Sequence, residues 1–286
     1  MTDEEKAENE KEYKALLALF IAMLKNLGNN STLEEDFEAL ATLRAQYAMQ
    51  HAFSGMKIDN EKALQLLKSI GDDNISELDK KKRDRLVAAL ENLVDFSVAE
   101  EYQLTKRAME SYNMYGEEID FNDEEQMELY EELCSIYNEK HAFVENKDIE
   151  YSMKIALWWI LLGDNVYLTY MTQNDDRVRP WHFALQGFTA RKSDFPEWMI
   201  PPIEWGCRCF LESDDGWVFA KDNKLKEVMA MKTPKKPKEL DDVFSESVAK
   251  CGRIFGKSHP YFKVDKKDVK TLKRIAKNIK SLYYGK

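Results

Sequence analysis

The chain has 286 residues, 44% of them hydrophobic and 33% charged, with a formal net charge of −10 at pH 7. That length allows one large or two modest domains with a sizeable core. Four irregularly spaced cysteines fit a reducing compartment rather than a disulfide scaffold. The acidic, polar start has no signal-peptide pattern, and the longest apolar run, residues 155–162, is far too short to span a bilayer.

Helix formers dominate and Gly and Pro are scarce until about residue 160. Residues 1–12 carry six acids and read as a frayed, solvated start. From Tyr13 the period is helical, with Leu16, Leu17, Phe20, Ile21, Leu24 and Leu27 on one face, ending at Gly28-Asn29-Asn30. Ser31 with Glu34, or Thr32 with Glu35, forms a capping box. The next helix presents Phe37, Leu40, Arg44, Tyr47 and His51, and His51 reads as a packed histidine rather than a ligand. Gly55 breaks it, and Asp59 or Asn60 opens a short helix with Leu64, Leu67 and Ile70.

A long helix is predicted from about Ser76 to Tyr115, with Leu86, Leu90, Leu93, Val94, Val98 and Tyr102 as its stripe. The basic run 78–86, LDKKKRDRL, can touch nucleic acid, but a solvated helix turn explains it more cheaply. Gly116 interrupts, and Asn122 with Glu125 caps a helix carrying Met127, Tyr130, Leu133, Cys134, Tyr137 and His141. Tyr112, Tyr115, Tyr130 and Tyr137 read as core first and partner surface second. A further helix, Ile149 to Gly163, is apolar all round and predicted to be buried.

The remainder looks mixed. Residues 164–172 alternate as a strand with Val166, Leu168 and Tyr170 on one side. Residues 209–211 and 217–220 suggest two short strands joined through 213–216. TPKKPKELDD at 233–242 is a connector, and helix formers return from Asp265 to Tyr283. The expected fold class is α+β: a mainly helical N-terminal domain at 1–148, a small mixed α+β domain at 149–263 and a basic helix at 264–286.

The densest stretch is 169–211, with Pro, Gly and aromatic residues at turn-forming spacing. Cys207 and Cys209 can place two thiolates on one metal ion, and His182 can add a nitrogen, a ligand set that suits structural zinc. Asp175 or Asp176 would have to complete the four. The alternative is two reduced, packed thiols and a hydrogen-bonded histidine. A Cys–His nucleophile pair lacks any recognisable elbow or oxyanion motif, so no catalytic residue is assigned. Arg177, Arg179 and Arg208 fit pairing with nearby acids.

Asp175, Arg177, Val178, Arg179, Pro180, His182, Leu185 and Gly187, followed by Pro201, Pro202, Trp205, Cys207, Arg208 and Cys209, resemble the signature of the phage Mu F-like minor head protein family, which includes the head morphogenesis proteins of SPP1-like phages. FGKSHPYF at 255–262 resembles that family's closing element, although SVAKCGR stands where an N-P-G-like turn is common. The resemblance covers roughly 150–263 and says little about 1–149. It implies a structural phage virion protein without enzymatic activity. Such a protein acts in head morphogenesis at the portal or inner capsid, docks through the helical half, and sits in the host cytoplasm during assembly. Its implied partners are the portal and other head proteins, with no membrane.

Residues 1–150 carry a net −18 and residues 151–286 a net +8. Lys266, Lys267, Lys270, Lys273, Arg274, Lys277 and Lys280 line a terminal helix whose other stripe is Leu272, Ile275, Ile279 and Leu282. These bases suit nonspecific contact with packaged double-stranded DNA. Two alternatives remain: an effector enzyme, such as a nuclease or ADP-ribosyltransferase-like toxin, carrying this domain, or a nonspecific nucleic-acid-binding module. About 24 residues come after the closing element, too few for a usual enzyme domain.

Overall fold

The computed structural model describes residues 2–26, 33–115, 120–215 and 225–285, giving only the backbone at 111–115 and Leu225. The larger helices are α1 (Asp3–Lys25), α2 (Leu33–Gly55), α3 (Asn60–Lys68), α4 (Glu77–Tyr115), α5 (Glu124–Ser135) and α6 (Ala142–Leu161). They are followed by β1 (Tyr167–Met171), α7 (Pro180–Phe183), β2 (Thr189–Arg191), β3 (Phe210–Asp214), α8 (Leu225–Ala230) and α9 (Val269–Tyr284). The α+β expectation holds: the chain is mostly helical, with a small mixed region built on a three-stranded antiparallel sheet. Among the described residues no helix is long and apolar enough to cross a membrane.

Two compact units emerge. The first comprises residues 1–52, 90–147 and 259–286, and the second 53–89 and 148–258. In the first, α1 begins earlier than its hydrophobic period predicts. Thr2 accepts from the Glu5 N–H while Glu5 reaches back to the Thr2 N–H, a reciprocal cap. Asp3, Glu4 and Glu5 then occupy the turn where the helix dipole favours acids. Residues 3–12 are therefore ordered helix, and Glu12 is buried, accepting from Asn146 Nδ2 at 3.1 Å and lying 3.3 Å from His51 Nε2.

Arg44 extends from the predicted apolar face of α2 into the middle of this unit and is 1% exposed. Its Nε donates to Glu100 at 2.7 Å, one terminal nitrogen to Glu145 at 2.8 Å and the other to Asn146 Oδ1 at 3.1 Å. Glu101 is also fully buried and accepts from Asn138 at 3.3 Å. Tyr130 and Tyr137 are core, so they offer no partner surface. The last residues of the 255–262 element close on this unit: His259, Tyr261 and Phe262 pack around Phe96, and Tyr261 Oη lies 2.9 Å from His141 Nδ1.

Other local expectations shift. Asp123, not Asn122, caps α5, because its carboxylate reaches the N–H groups of both Glu125 and Gln126. A π-helical turn, Ile136–His141, runs straight into α6, so no new helix starts at Ile149. That helix is neither apolar all round nor wholly buried: Lys154 is exposed, and so is the apolar Leu161. On α9 the buried stripe is Leu272, Ile275, Ile279 and Tyr283, while Leu282 is 61% exposed. The proposed caps at 31–32, the breaks at 28–30 and 116, and the strand at 217–220 lie outside the described residues.

In the second unit the strand order is β2-β1-β3, both pairs antiparallel. Leu168 and Tyr170 point into the core as alternation predicted. Thr169 and Thr189 face each other and their hydroxyls meet at 2.9 Å. Residues 210–214 form a longer strand than the expected 209–211 and pair with β1, the central strand. Gly55 packs on the α6 backbone, where an added Cβ would lie 2.2 Å from the Glu150 carbonyl oxygen. That position admits no larger residue without moving a backbone.

Candidate metal centre

Chain turns, rather than long elements, position the site. Arg179 is extended, Pro180 stands at N1 of the one-turn α7, and His182 comes two residues later. Pro fits N1 because that N–H has no partner within the helix. Gly187, at φ +83°, then turns the chain back toward β2. On the other side, Pro201 and Pro202 are buried, joined by a cis bond, and lead to Glu204, Trp205 and Gly206. Gly206 has φ +63°, and its N–H donates to both Asp148 carboxylate oxygens, at 3.0 and 3.2 Å. That tight turn presents Cys207 and Cys209 to His182.

His182 Nδ1 is 3.3 Å from Cys209 Sγ and 3.8 Å from Cys207 Sγ. All three ligand atoms lie within 4.8 Å of one another, and the residues are 2%, 5% and 3% exposed. Ordinary zinc bonds in a tetrahedron give a nitrogen–sulfur edge of roughly 3.6 Å, which the two observed separations bracket. His182 Nε2 points the other way, 3.1 Å from Glu204 Oε2. The same oxygen lies 3.0 Å from Arg179 Nε, and Arg179 also donates to the Trp205 carbonyl at 2.9 Å. A carboxylate on the far nitrogen of a histidine fixes its tautomer and ring angle, the usual outer support of a metal-ligating imidazole.

The two sulfurs are unequal. The Cys207 thiol is pushed up, chiefly by its hydrogen bond with Cys209 and then by burial. Cys209 is pulled down by that same bond, with Tyr170 and the charges of Arg179 and Arg208 acting in the same direction. Tyr151 Oη donates to the Cys209 carbonyl at 2.5 Å. The Tyr170 hydroxyl lies beside Cys209, fully buried, and makes no hydrogen bond of ordinary geometry. Soft donors at tetrahedral spacing, a braced imidazole and one orphaned hydroxyl together fit a structural zinc site with His182, Cys207 and Cys209 as ligands.

Asp175 and Asp176 do not join the cluster, because both are exposed and Asp175 is bound by Arg208 Nη2 at 2.8 Å. The Arg208 carbonyl accepts from Gln173 at 3.0 Å. Arg177 is exposed, with its backbone N–H on Asp175 at 3.2 Å. Trp205 stacks on Phe255, 5.2 Å between centroids, and meets Phe244 edge-on at 4.9 Å. Residue types alone did not reveal Glu204, Asp148, Tyr151 or Tyr170. Glu204 was the detectable one: it sits between the prolines and the cysteine pair, in reach of any histidine the cysteines meet.

Comparison with known proteins gives a partial relation. The chain is 47% identical over 54 residues to the Mu-like prophage FluMu F protein of Haemophilus influenzae, a stretch covering 18% of this chain and 13% of that protein. The relation to Mu-like F proteins is thus distant and local. No family profile matches the chain, and no solved structure matches it.

Proposed function

We propose that this chain is a structural protein of a phage head, acting in head morphogenesis and bound at the portal or inner capsid. The carrying observation is the 47% identity to a Mu-like F protein over 54 residues. The motif at 175–209 adds weight because its residues hold one another: Arg208 binds Asp175, Arg179 binds Glu204, and Trp205 packs on Phe255. Burial of His182 and both cysteines leaves a substrate no approach to them, which favours a structural role over a catalytic one. Residues 1–148 are the proposed docking part. Co-expression with a tagged portal from the same phage should retain the chain on the portal. Failure to retain either the full chain or residues 1–148 would overturn this reading.

In this reading zinc, held by His182, Cys207 and Cys209, staples the turn-rich loops of the second unit, with Glu204 orienting the imidazole. The lysines of α9, with Lys266 and Lys267 in the turn before it rather than on the helix, add a nonspecific phosphate contact with packaged DNA. Lys266, Lys267, Lys270, Lys273 and Lys277 are exposed. Arg274 and Lys280 contribute less, because Arg274 pairs with Glu34 and Lys280 reaches Glu91 and Asp95, each at 2.7 Å. Fluorescence polarisation with two unrelated duplexes should show equal affinities that fall steeply with salt. Unchanged affinity after deleting 264–286 would remove the tail from the account.

A further inference from the structure

The basic run of α4 has a structural outlet that its helical pattern does not disclose. Lys81 and Arg85 stand four residues apart on one face of α4 and line a cavity of about 310 Å³. Its other walls are Trp159 and Ile160 of α6, Asp164, Lys192 and Ser193 after β2, and Lys250. All belong to the second unit. Four separated chain segments thus bring four cations and one carboxylate to one concavity.

Most of these cations are held by neutral acceptors. Lys250 Nζ donates to the Phe195 carbonyl at 2.7 Å, and Arg85 Nε to the Ala249 carbonyl at 2.9 Å. Arg85 also places a terminal nitrogen 2.5 Å from Cys251 Sγ. Lys192, buried, donates to the Leu162 carbonyl at 2.9 Å and to Asp164 at 3.0 Å. Among the described residues, Lys81, Arg85 and Lys250 make no ion pair, and Asp164 stays largely solvent-exposed. The ammonium groups of Lys192 and Lys250 lie 5.6 and 5.5 Å from the Trp159 ring centroid, so the indole partly offsets the repulsion of like charges. Asp194 and Glu197 act on Lys250 only at longer range, and Glu197 is engaged by the Ser247 N–H at 2.8 Å.

Held cations around this cavity, three of them outside any ion pair among the described residues and the fourth shared with the exposed Asp164, form a receptor for a compact oxyanion. Guanidinium and ammonium donors on one centre match the several acceptor oxygens of a phosphoryl group. The volume, roughly ten times that of a liquid water molecule, admits a phosphate with part of its carrier. Trp159 is 6% exposed and already flanked by lysines, so it is a wall rather than a platform for a stacked base. We propose that Lys81, Arg85, Lys192 and Lys250 form a phosphate-binding site, taking either a small phosphate compound or a backbone phosphate of nucleic acid.

The test is isothermal titration of the full chain with inorganic phosphate at constant ionic strength, with chloride as control. Saturable binding near ~1 mM or tighter is expected. The combined variant Lys81→Glu and Lys250→Gln should weaken it at least about tenfold. Both positions are solvent-accessible, so an unchanged melting curve shows that the fold survives. If that variant melts early, Lys81→Glu alone serves, with a smaller loss expected. A short duplex separates the two sources: displacement of duplex by phosphate in wild type marks a backbone-phosphate site, and retained duplex binding in the variant marks a small-phosphate site. Absence of saturable phosphate binding, or equal binding by wild type and variant, would overturn the proposal.

Discussion

Each compact unit buries a polar cluster, and the two are satisfied by different chemistry. In the first, one guanidinium faces an excess of acids. Burial alone would lower the Arg44 pKa, but Glu100, Glu145, Glu101 and Glu12 outweigh it and raise it. The acids respond in turn. Burial drives Glu100 well above the ordinary carboxylate range and lifts Glu101 from 4.5 to about 8. Even so, Ser97 Oγ, Glu100 Oε1, Glu101 Oε1 and Asn138 Oδ1 are buried without partners. The His182, Cys207 and Cys209 cluster has one such atom beside it, the Tyr170 hydroxyl. With fewer buried atoms left without partners, the second cluster should tolerate loss of its neighbours better than the first tolerates loss of Arg44.

The widest gap between the two should come from Arg44→Met. It removes the one cation from a fully buried acid cluster, and such a break costs about 3–5 kcal/mol. Denaturant unfolding should show a large fall in midpoint, and a fall below ~1 kcal/mol would mean the acids are neutral without it. Removing the second cluster's ligands comes next. Protein purified without added zinc should carry close to one equivalent, and Cys207→Ser with Cys209→Ser should lose it together with ~2–4 kcal/mol of stability. A metal content under about a tenth of an equivalent rejects the zinc account. An unchanged melt would show that the thiols do not support the loops at all.

Acidity sharpens the contrast. The Glu101 carboxyl has its folded pKa raised, so the fold prefers its neutral form. Its contribution is complete below about pH 4.5 and is lost as pH rises toward 8. The slope is at most ~1.4 kcal/mol per pH unit for one proton. Thermal melts should therefore fall between pH 5 and 8, and Glu101→Gln should flatten that dependence. An equal slope in wild type and variant would assign the effect elsewhere. The smallest effect belongs to the motif's exposed pair: Arg208→Gln should leave the melting temperature within error despite breaking its contact with Asp175, because solvent screens such pairs.

Sequence periodicity located most helices because their buried stripes repeat every three or four residues, as Leu272, Ile275 and Ile279 do. It missed what rests on single contacts. The Thr2-x-x-Glu5 spacing carries a capping-box signature, but nothing in the acidic first twelve residues signals that Glu12 turns inward toward Asn146. The candidate ligands were legible because two cysteines one residue apart and a nearby histidine are the donor types that structural zinc takes, although packed thiols would read the same way. The choice of an aspartate as fourth ligand failed because Arg208 holds Asp175 in solvent. Asp148 and Tyr151 were invisible for a different reason: they precede the cysteines by more than fifty residues, and only the folded chain brings them to Gly206 and Cys209.

The placement of the four thiols turns the molecule into its own stopwatch. Cys134 is buried in the first unit, Cys207 and Cys209 in the second, and Cys251 stands exposed beside Arg85. A brief pulse of alkylating reagent should mark Cys251 first in the native protein. Delayed labelling of Cys134 then times the opening of one unit, and of the cysteine pair the other. Peptide mapping of the modified chain would thus tell whether both halves loosen together or in sequence, without introducing any foreign probe.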